Sequence, residues 1–273
     1  MHRQSATAFF ACATIAACAH AQTFLITQGD TYYRYSAGSL QTYTLGNEIT
    51  GLTTVPAGTT AGNQNGGAAS GDVFAVANGD GGNTAYRLNN PLATPSLTQV
   101  GVMGGGGNNS PCFANGKLYG VLLGVNFLEY HPTTLAANNT WNTGVFGGSG
   151  GLVHDSGNSF LFVEALNDAL FAYTIGGTAA DVGPLGVDFD NSALESYQST
   201  IYAALGRVDT GQLVLGTVSR NTGAFTQIDV IDTYRGGSIG LAVVPTPGTL
   251  ALLSLGGALA ARRRRAPHPP RPV

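Results

Sequence analysis

The stretch GLVHDSGNSFLFVEALNDALFAYTIGG, residues 151–177, reads as a run of short β-strands separated by tight turns. Gly151-Leu152-Val153-His154 is an apolar segment that leads into the turn Asp155-Ser156-Gly157-Asn158. Ser159 to Glu164 follows as a strand, then Ala169 to Ile175 after a turn at Asn167-Asp168, then a weaker strand over Ala180 to Leu185. Gly, Asn and Asp occupy the turns because hairpin connections need residues that tolerate positive φ.

This unit recurs along the chain. Five apolar segments carry an aromatic at the corresponding place: Thr23-Phe24-Leu25-Ile26, Val73-Phe74-Ala75-Val76, Leu118-Tyr119-Gly120-Val121, Leu161-Phe162-Val163 and Ile201-Tyr202-Ala203-Ala204. The aromatics lie 50, 45, 43 and 40 residues apart. In the first four units a tyrosine follows after 11, 12, 11 and 11 residues, at Tyr35, Tyr86, Tyr130 and Tyr173. The fifth departs, with an insertion around Asp209-Thr210-Gly211 and Thr217 near the tyrosine place. Four antiparallel strands every 40 to 50 residues is the pattern of β-propeller blades. The expected fold is therefore all-β: a propeller of five four-stranded blades over residues 22–243, with six blades or a β-sandwich as alternatives.

The first unit begins directly at its second strand, so it lacks an innermost one. At the far end, Gly237-Ser238-Ile239-Gly240-Leu241-Ala242-Val243 resembles Gly150-Gly151-Leu152-Val153. Ser238 to Val243 is thus expected to complete the first blade and close the ring, which removes exposed sheet edges.

Both ends of the chain differ from the body. Met1 to Ala21 has a basic start (His2, Arg3), an apolar run from Ala6 to Ala19, and Ala19-His20-Ala21 before Gln22. That is the layout of a secretory signal with a small-x-small cleavage site at Ala19 and Ala21. Ile15-Ala16-Ala17-Cys18 offers a lipoprotein-type alternative, with Cys18 acylated. At the other end Thr249 to Ala261 carries no charge. As a helix it spans about 20 Å, short of a bilayer core of about 30 Å. Arg262, Arg263, Arg264 and Arg265 follow it, and such a cluster stays cytoplasmic, leaving the body outside the inner membrane. A buried helix with a basic end is the alternative.

Together, Val244-Pro245-Thr246-Pro247-Gly248-Thr249, the short greasy segment and the arginine block resemble the sorting segment of PEP-CTERM proteins. The resemblance covers residues 244–265, with 266–273 left as a disordered tail, and says nothing about the body. It implies export, transient membrane anchoring and processing by an exosortase, usually in bacteria that make extracellular polysaccharide. Pro245, Thr246, Pro247 and Arg262 to Arg265 match the sorting motif, with Thr246 in place of the usual acid. The expected location is the cell surface or extracellular matrix.

The whole chain has a formal net charge of −3, which conceals the character of the body. Residues 22–243 hold six basic side chains (Arg34, Arg87, Lys117, Arg207, Arg220 and Arg235) against all fifteen acids, a net of −9. Such a body repels nucleic acid and anionic lipid and suits cations or neutral glycans. Only Cys112 remains of three cysteines once the leader is removed, so no internal disulfide is available and stability must come from the core.

Candidate chemistry is sparse. His131 and His154 stand alone, without the spacing of a zinc site. Gly104 to Gly107 and Gly147-Gly148-Ser149-Gly150-Gly151 read as connectors between blades rather than a nucleophile elbow or a phosphate loop. Asp188-Phe189-Asp190-Asn191 with Glu195, and the turn around Asp80, place oxygens at a spacing that calcium accepts, although solvated turns are the favoured account of both. Asp155 and Glu164 are the candidate acids for a propeller channel, where hydrolytic propellers carry theirs. The expected function is a non-catalytic binding or structural module, with extracellular glycan as candidate ligand. A hydrolase or lyase acting on extracellular polysaccharide is the alternative.

Overall fold

A computed structural model describes residues 22–79, 82–104, 110–122, 125–145 and 149–245. The expected leader with Cys18, Ala19 and Ala21, the sorting residues from Thr246 through Arg265, and Asp80 lie outside the described residues.

Twenty strands form five four-stranded antiparallel sheets. Blade one contains β1 (Gln22–Gln28), β2 (Thr31–Ser36) and β3 (Ser39–Thr44). Blade two is β4 (Ile49–Thr54), β5 (Val73–Gly79), β6 (Gly82–Asn89) and β7 (Ser96–Met103). Blade three is β8 (Cys112–Ala114), β9 (Lys117–Leu122), β10 (Asn126–Tyr130) and β11 (Ala137–Asn142). Blade four is β12 (Ser149–Ser156), β13 (Ser159–Glu164), β14 (Ala169–Thr174) and β15 (Ala180–Pro184). Blade five is β16 (Phe189–Tyr197), β17 (Thr200–Arg207), β18 (Gln212–Val218) and β19 (Phe225–Thr233). The last strand, β20 (Ile239–Pro245), joins blade one beside β1, giving the order β20-β1-β2-β3. The fold is a five-bladed β-propeller, closed as its sequence predicts. The closing strand starts one residue later and runs two residues further than expected.

Apolar side chains are buried between blades, because each sheet has two faces and its neighbours cover both. Phe74 and Val76 of blade two pack with Leu118, Leu128 and Tyr130 of blade three. Tyr119, Val121 and Phe127 of blade three meet Phe160, Phe162 and Tyr173 of blade four. Leu161 and Val163 meet Leu194, Ile201 and Leu205 of blade five. Ala204, Leu213 and Leu215 meet Phe24, Ile26 and Leu241 of blade one. Polar contacts reinforce that last seam: Tyr33 donates to Asp232 at 2.8 Å and Tyr35 to Asp229 at 2.6 Å.

The repeat that announces the blades is not a repeat of equivalent side chains. Phe74, Tyr119 and Tyr202 face the following blade, whereas Phe24 and Phe162 face the preceding one. A shift of one residue turns a strand's side chain to the other face. The tyrosines diverge for the same reason. Phe24 stands opposite Tyr35, but Tyr86 stands opposite Ala75, Tyr130 opposite Leu118 and Tyr173 opposite Phe160.

The 50-residue first interval also has a structural cause. Residues 55–72 form a long connection from β4 to β5 that is laid over the seam between blades two and three. Gly62, at φ +80°, donates its N–H to Pro132 O at 2.9 Å, and a Cβ there would lie 2.3 Å from Val100 O. No side chain larger than hydrogen fits this crossing. Pro56 at the start of the connection reaches the end of the central channel.

Candidate functional site

The innermost strands β4, β8, β12, β16 and β20 surround the propeller axis. Thr53 and Thr54 at the C-terminal end of β4, His154 near that of β12, Glu195 and Ser196 near that of β16, and Cys112 at the start of the short β8 line a cavity of about 230 Å³. Register explains why these residues meet. Thr53 stands opposite Phe74, Cys112 opposite Tyr119 and Glu195 opposite Tyr202, so three repeated aromatics mark one level of the channel.

Narrowness comes from small residues on the inner strands. Gly151 lies against the backbone of Ala193 and Leu194, and Gly240 against the backbone of Leu52. Each glycine precedes a leucine, in the pairs Gly51-Leu52, Gly151-Leu152 and Gly240-Leu241, with Ala193-Leu194 as the blade-five counterpart. Glycine lets strand backbones approach where five of them converge.

Glu195 dominates the electrostatics of the cavity. Its side chain is partly exposed at the opening, and burial of the rest desolvates the carboxyl. Burial pushes its pKa up to about 8, and a hydrogen bond with Thr53 offsets only part of that. The group is therefore largely protonated at neutral pH, when it both donates and accepts hydrogen bonds. Cys112 beside it is buried, and burial holds its thiol protonated, reinforced by the nearby Glu195. His154 turns its ring back to its own hairpin, with Nε2 2.9 Å from Gly157 O.

This arrangement yields a stability prediction. A carboxyl whose pKa is raised on folding keeps its proton in the native state where the unfolded chain has already lost it, so stability falls as pH rises from about 4 towards 8. Glu195→Gln removes this group from the titration. Melting temperatures from pH 5 to 9 should decline less steeply in the variant than in the native protein. Parallel curves would mean that Glu195 ionises freely and that the cavity is wet.

The other sequence candidates are placed elsewhere. Asp155 is the penultimate residue of β12 rather than the first of a turn, and the connection is the two-residue Gly157-Asn158. The bulge between His154 and Ser156 carries this difference. Asp155 Oδ1 lies 3.0 Å from Arg220 Nε of blade five, an ion pair without hydrogen-bond alignment. Glu164 ends β13, the second strand of its blade, and is fully buried. Its carboxylate accepts from Leu166 N at 2.6 Å, from Asn167 N at 3.0 Å and from the Asn167 side chain. It braces the hairpin that follows and does not line the cavity. Asp190 accepts from the Tyr234 hydroxyl at 2.9 Å. Asp188, Asp190 and Glu195 do not converge, and among the described residues no three His, Cys, Asp or Glu side chains form a group that could hold a metal ion.

Thr53, Thr54 and Cys112 are not among the site residues expected from the sequence, because an unremarkable threonine pair and a lone cysteine carry no motif. For Thr53 and Cys112 the place opposite a repeated aromatic is the signal that marks them, whereas Thr54 stands opposite Val73.

No protein-family model matches the chain, and no curated protein sequence does. Solved structures resemble it in shape. A chain of the nidogen/laminin complex superposes with a TM-score of 0.51 at 9% identity, over 81% of this chain and 98% of that one. A protein of unknown function from Bacteroides caccae gives 0.50 at 13% identity, over 83% and 100%. Virginiamycin B lyase from Staphylococcus aureus gives 0.38 at 13% identity, over 73% and 63%. At these identities the likeness shows the fold alone, and the lyase match is too distant to argue from.

Proposed function

We propose that this protein is an exported, exosortase-processed cell-surface or extracellular-matrix propeller that binds its ligand without transforming it, with extracellular glycan as the ligand class. The observation that carries the binding reading is the cavity at the channel end. Among the described residues, several hydroxyls and a single carboxyl line it. Glycoside hydrolysis ordinarily uses two carboxyl groups roughly 5 to 10 Å apart, one protonating the leaving group and one attacking or activating water. Glu195 has the raised pKa of a general acid, and this favours hydrolysis or lysis of polysaccharide as the second reading. Asp155 is bound to Arg220 and Glu164 to its own hairpin, so neither supplies the partner.

The purified protein should be retained on a glycan array and release no chromophore from chromogenic glycosides. Turnover that disappears in Glu195→Gln or Asp155→Asn would overturn the non-catalytic reading. Localisation is tested separately. Four arginines after a short apolar segment stop translocation, because carrying each across a membrane is costly. Changing Arg262 to Arg265 to Ser should leave unprocessed protein in the periplasm; normal cleavage and display would sink the sorting proposal.

A further inference from the structure

The end of the long connection 55–72 and the turn after β6 enclose a pocket around Arg87, away from the channel. We infer that this pocket binds a sugar acid, a uronate residue whose carboxylate pairs with Arg87. It is a second site, and it takes from the reading above only that the ligand is a glycan.

Charge pairing singles Arg87 out. Residues 22–243 hold six cations among fifteen acids. Lys117, Arg207, Arg220 and Arg235 each have a carboxylate within 3.0 Å. Arg34 lies 5.8 Å from the centre of the Tyr43 ring. Arg87 is half-buried and has neither kind of partner among the described residues. Holding a guanidinium partly out of water without a counter-charge is costly, and an arriving anion relieves that cost.

The guanidinium is held ready for one. Nε donates to Asn89 Oδ1 at 3.0 Å and Nη1 to Gly67 O at 2.8 Å. Asn89 is oriented in turn by its donation to Thr98 Oγ1 at 2.9 Å. Nη2 makes no bond among the described residues, so the outer edge of the fork stays open. Parallel N–H donors on that edge match the two oxygens of a carboxylate.

Asp72 decides what accompanies the carboxylate. It is half-buried and lines the same pocket without pairing with Arg87. Its Oδ2 accepts from Ala69 N at 2.8 Å, and Oδ1 is left to accept from a ligand. A second negative charge on the ligand would be repelled here, which disfavours sulfate and phosphate. A uronate carries one carboxylate and several hydroxyl donors on its ring, and exposed Asn90 adds an amide at the rim. At about 320 Å³ the pocket is at the lower end of the roughly 300–1,000 Å³ of ligand sites, so it takes one sugar unit. The acidic body opposes anions only at long range, because physiological salt screens beyond about 8 Å.

The test is ligand-observed NMR at pH 7 on the purified protein. The probes are the methyl glycosides of glucuronate and galacturonate, their carboxamides, acetate, sulfate and glycine. At least one uronoside should bind. Its carboxamide has the same shape without the charge and should bind at least about tenfold more weakly. Acetate, with a carboxylate and no hydroxyls, should lose at least as much. Arg87→Gln should weaken uronoside binding about tenfold or more, and Arg87→Lys, which keeps the charge without the fork, should also weaken it. Arg87 anchors the connection through Gly67 O, so melting curves accompany both variants. If neither folds, the comparison of uronoside with carboxamide on the native protein decides alone. A trigalacturonate that binds more tightly than the methyl galacturonoside places the bound residue within a chain, and equal binding places it at a chain end.

Equal binding of uronoside and carboxamide overturns the inference. So does sulfate or glycine binding in preference to every uronoside, or uronoside binding that Arg87→Gln leaves intact. If the array retains neutral glycans and no uronoside binds, this site is wrong and the reading above stands. If the array retains nothing and no uronoside binds, both fall.

Discussion

A chain ending at Tyr234 is expected to melt far below one ending at Pro245, or to aggregate. The lost segment contains β20, the innermost strand of blade one. Ile239, Leu241, Ala242 and Val243 are buried there, at 0 to 3% exposure. Ile239, Leu241 and Val243 fill the seam between the last and first blades. At about 1.5–3 kcal/mol for each large apolar side chain, their loss removes roughly 5–9 kcal/mol, comparable with the whole stability of an ordinary domain, about 5–15 kcal/mol. Truncation also exposes the edge of β1, whose unpaired N–H and C=O groups invite pairing with other chains. The single cysteine of the described residues is unpaired, so no disulfide compensates. Thermal unfolding of the two chains under identical conditions checks the prediction. Equal melting would mean that β20 closes nothing.

Gly151→Val is expected to be the most damaging single substitution in the channel. A Cβ at Gly151 would stand 1.9 Å from Leu194 N and 2.4 Å from the carbonyl carbon of Ala193. Both are backbone atoms of β16, so no side chain can rotate away and the strands themselves must separate. Over-packing a core ordinarily costs about 1–3 kcal/mol, and a forced backbone shift where blades four and five meet should exceed that range. Gly157→Ala is the comparison. Gly157 has φ +54° and nothing within 4 Å of a built Cβ, so the change costs only the left-handed backbone penalty of about 1–2 kcal/mol. Urea unfolding of the two variants separates the effects. If Gly151→Val is no less stable than Gly157→Ala, the inner strands are further apart than described.

The two substitutions contrast two uses of glycine, only one of which is visible in the chain. Gly157 follows Asp155-Ser156 and precedes Asn158 between two apolar runs, a local pattern that announces a turn. Gly151 sits within a strand, where its sequence neighbours give no reason for it. The reason is another strand, which brings Ala193 and Leu194 against it from far downstream in sequence.

The same division runs through the whole protein. Strand alternation, turn residues and a period near 45 residues are written in the chain, so the sequence alone determined the all-β class and favoured five blades and the closing strand, while six blades or a sandwich stayed open until the sheets were placed. The face each repeated aromatic presents was not, because one residue of slip in a hairpin reverses it and nothing in the spacing records that slip. Nor was the site. Asp155 and Glu164 stand out in the chain as acids beside turns, and folding commits one to Arg220 and the other to its own hairpin. Glu195 was named for its oxygen as a calcium ligand, yet only the ring of inner strands buries its carboxyl and keeps its proton. Thr53, Thr54 and Cys112, drawn from blades two and three, acquire a place beside it only because the propeller closes. Local chemistry chooses strands and turns, while burial and proximity across blades belong to the tertiary structure.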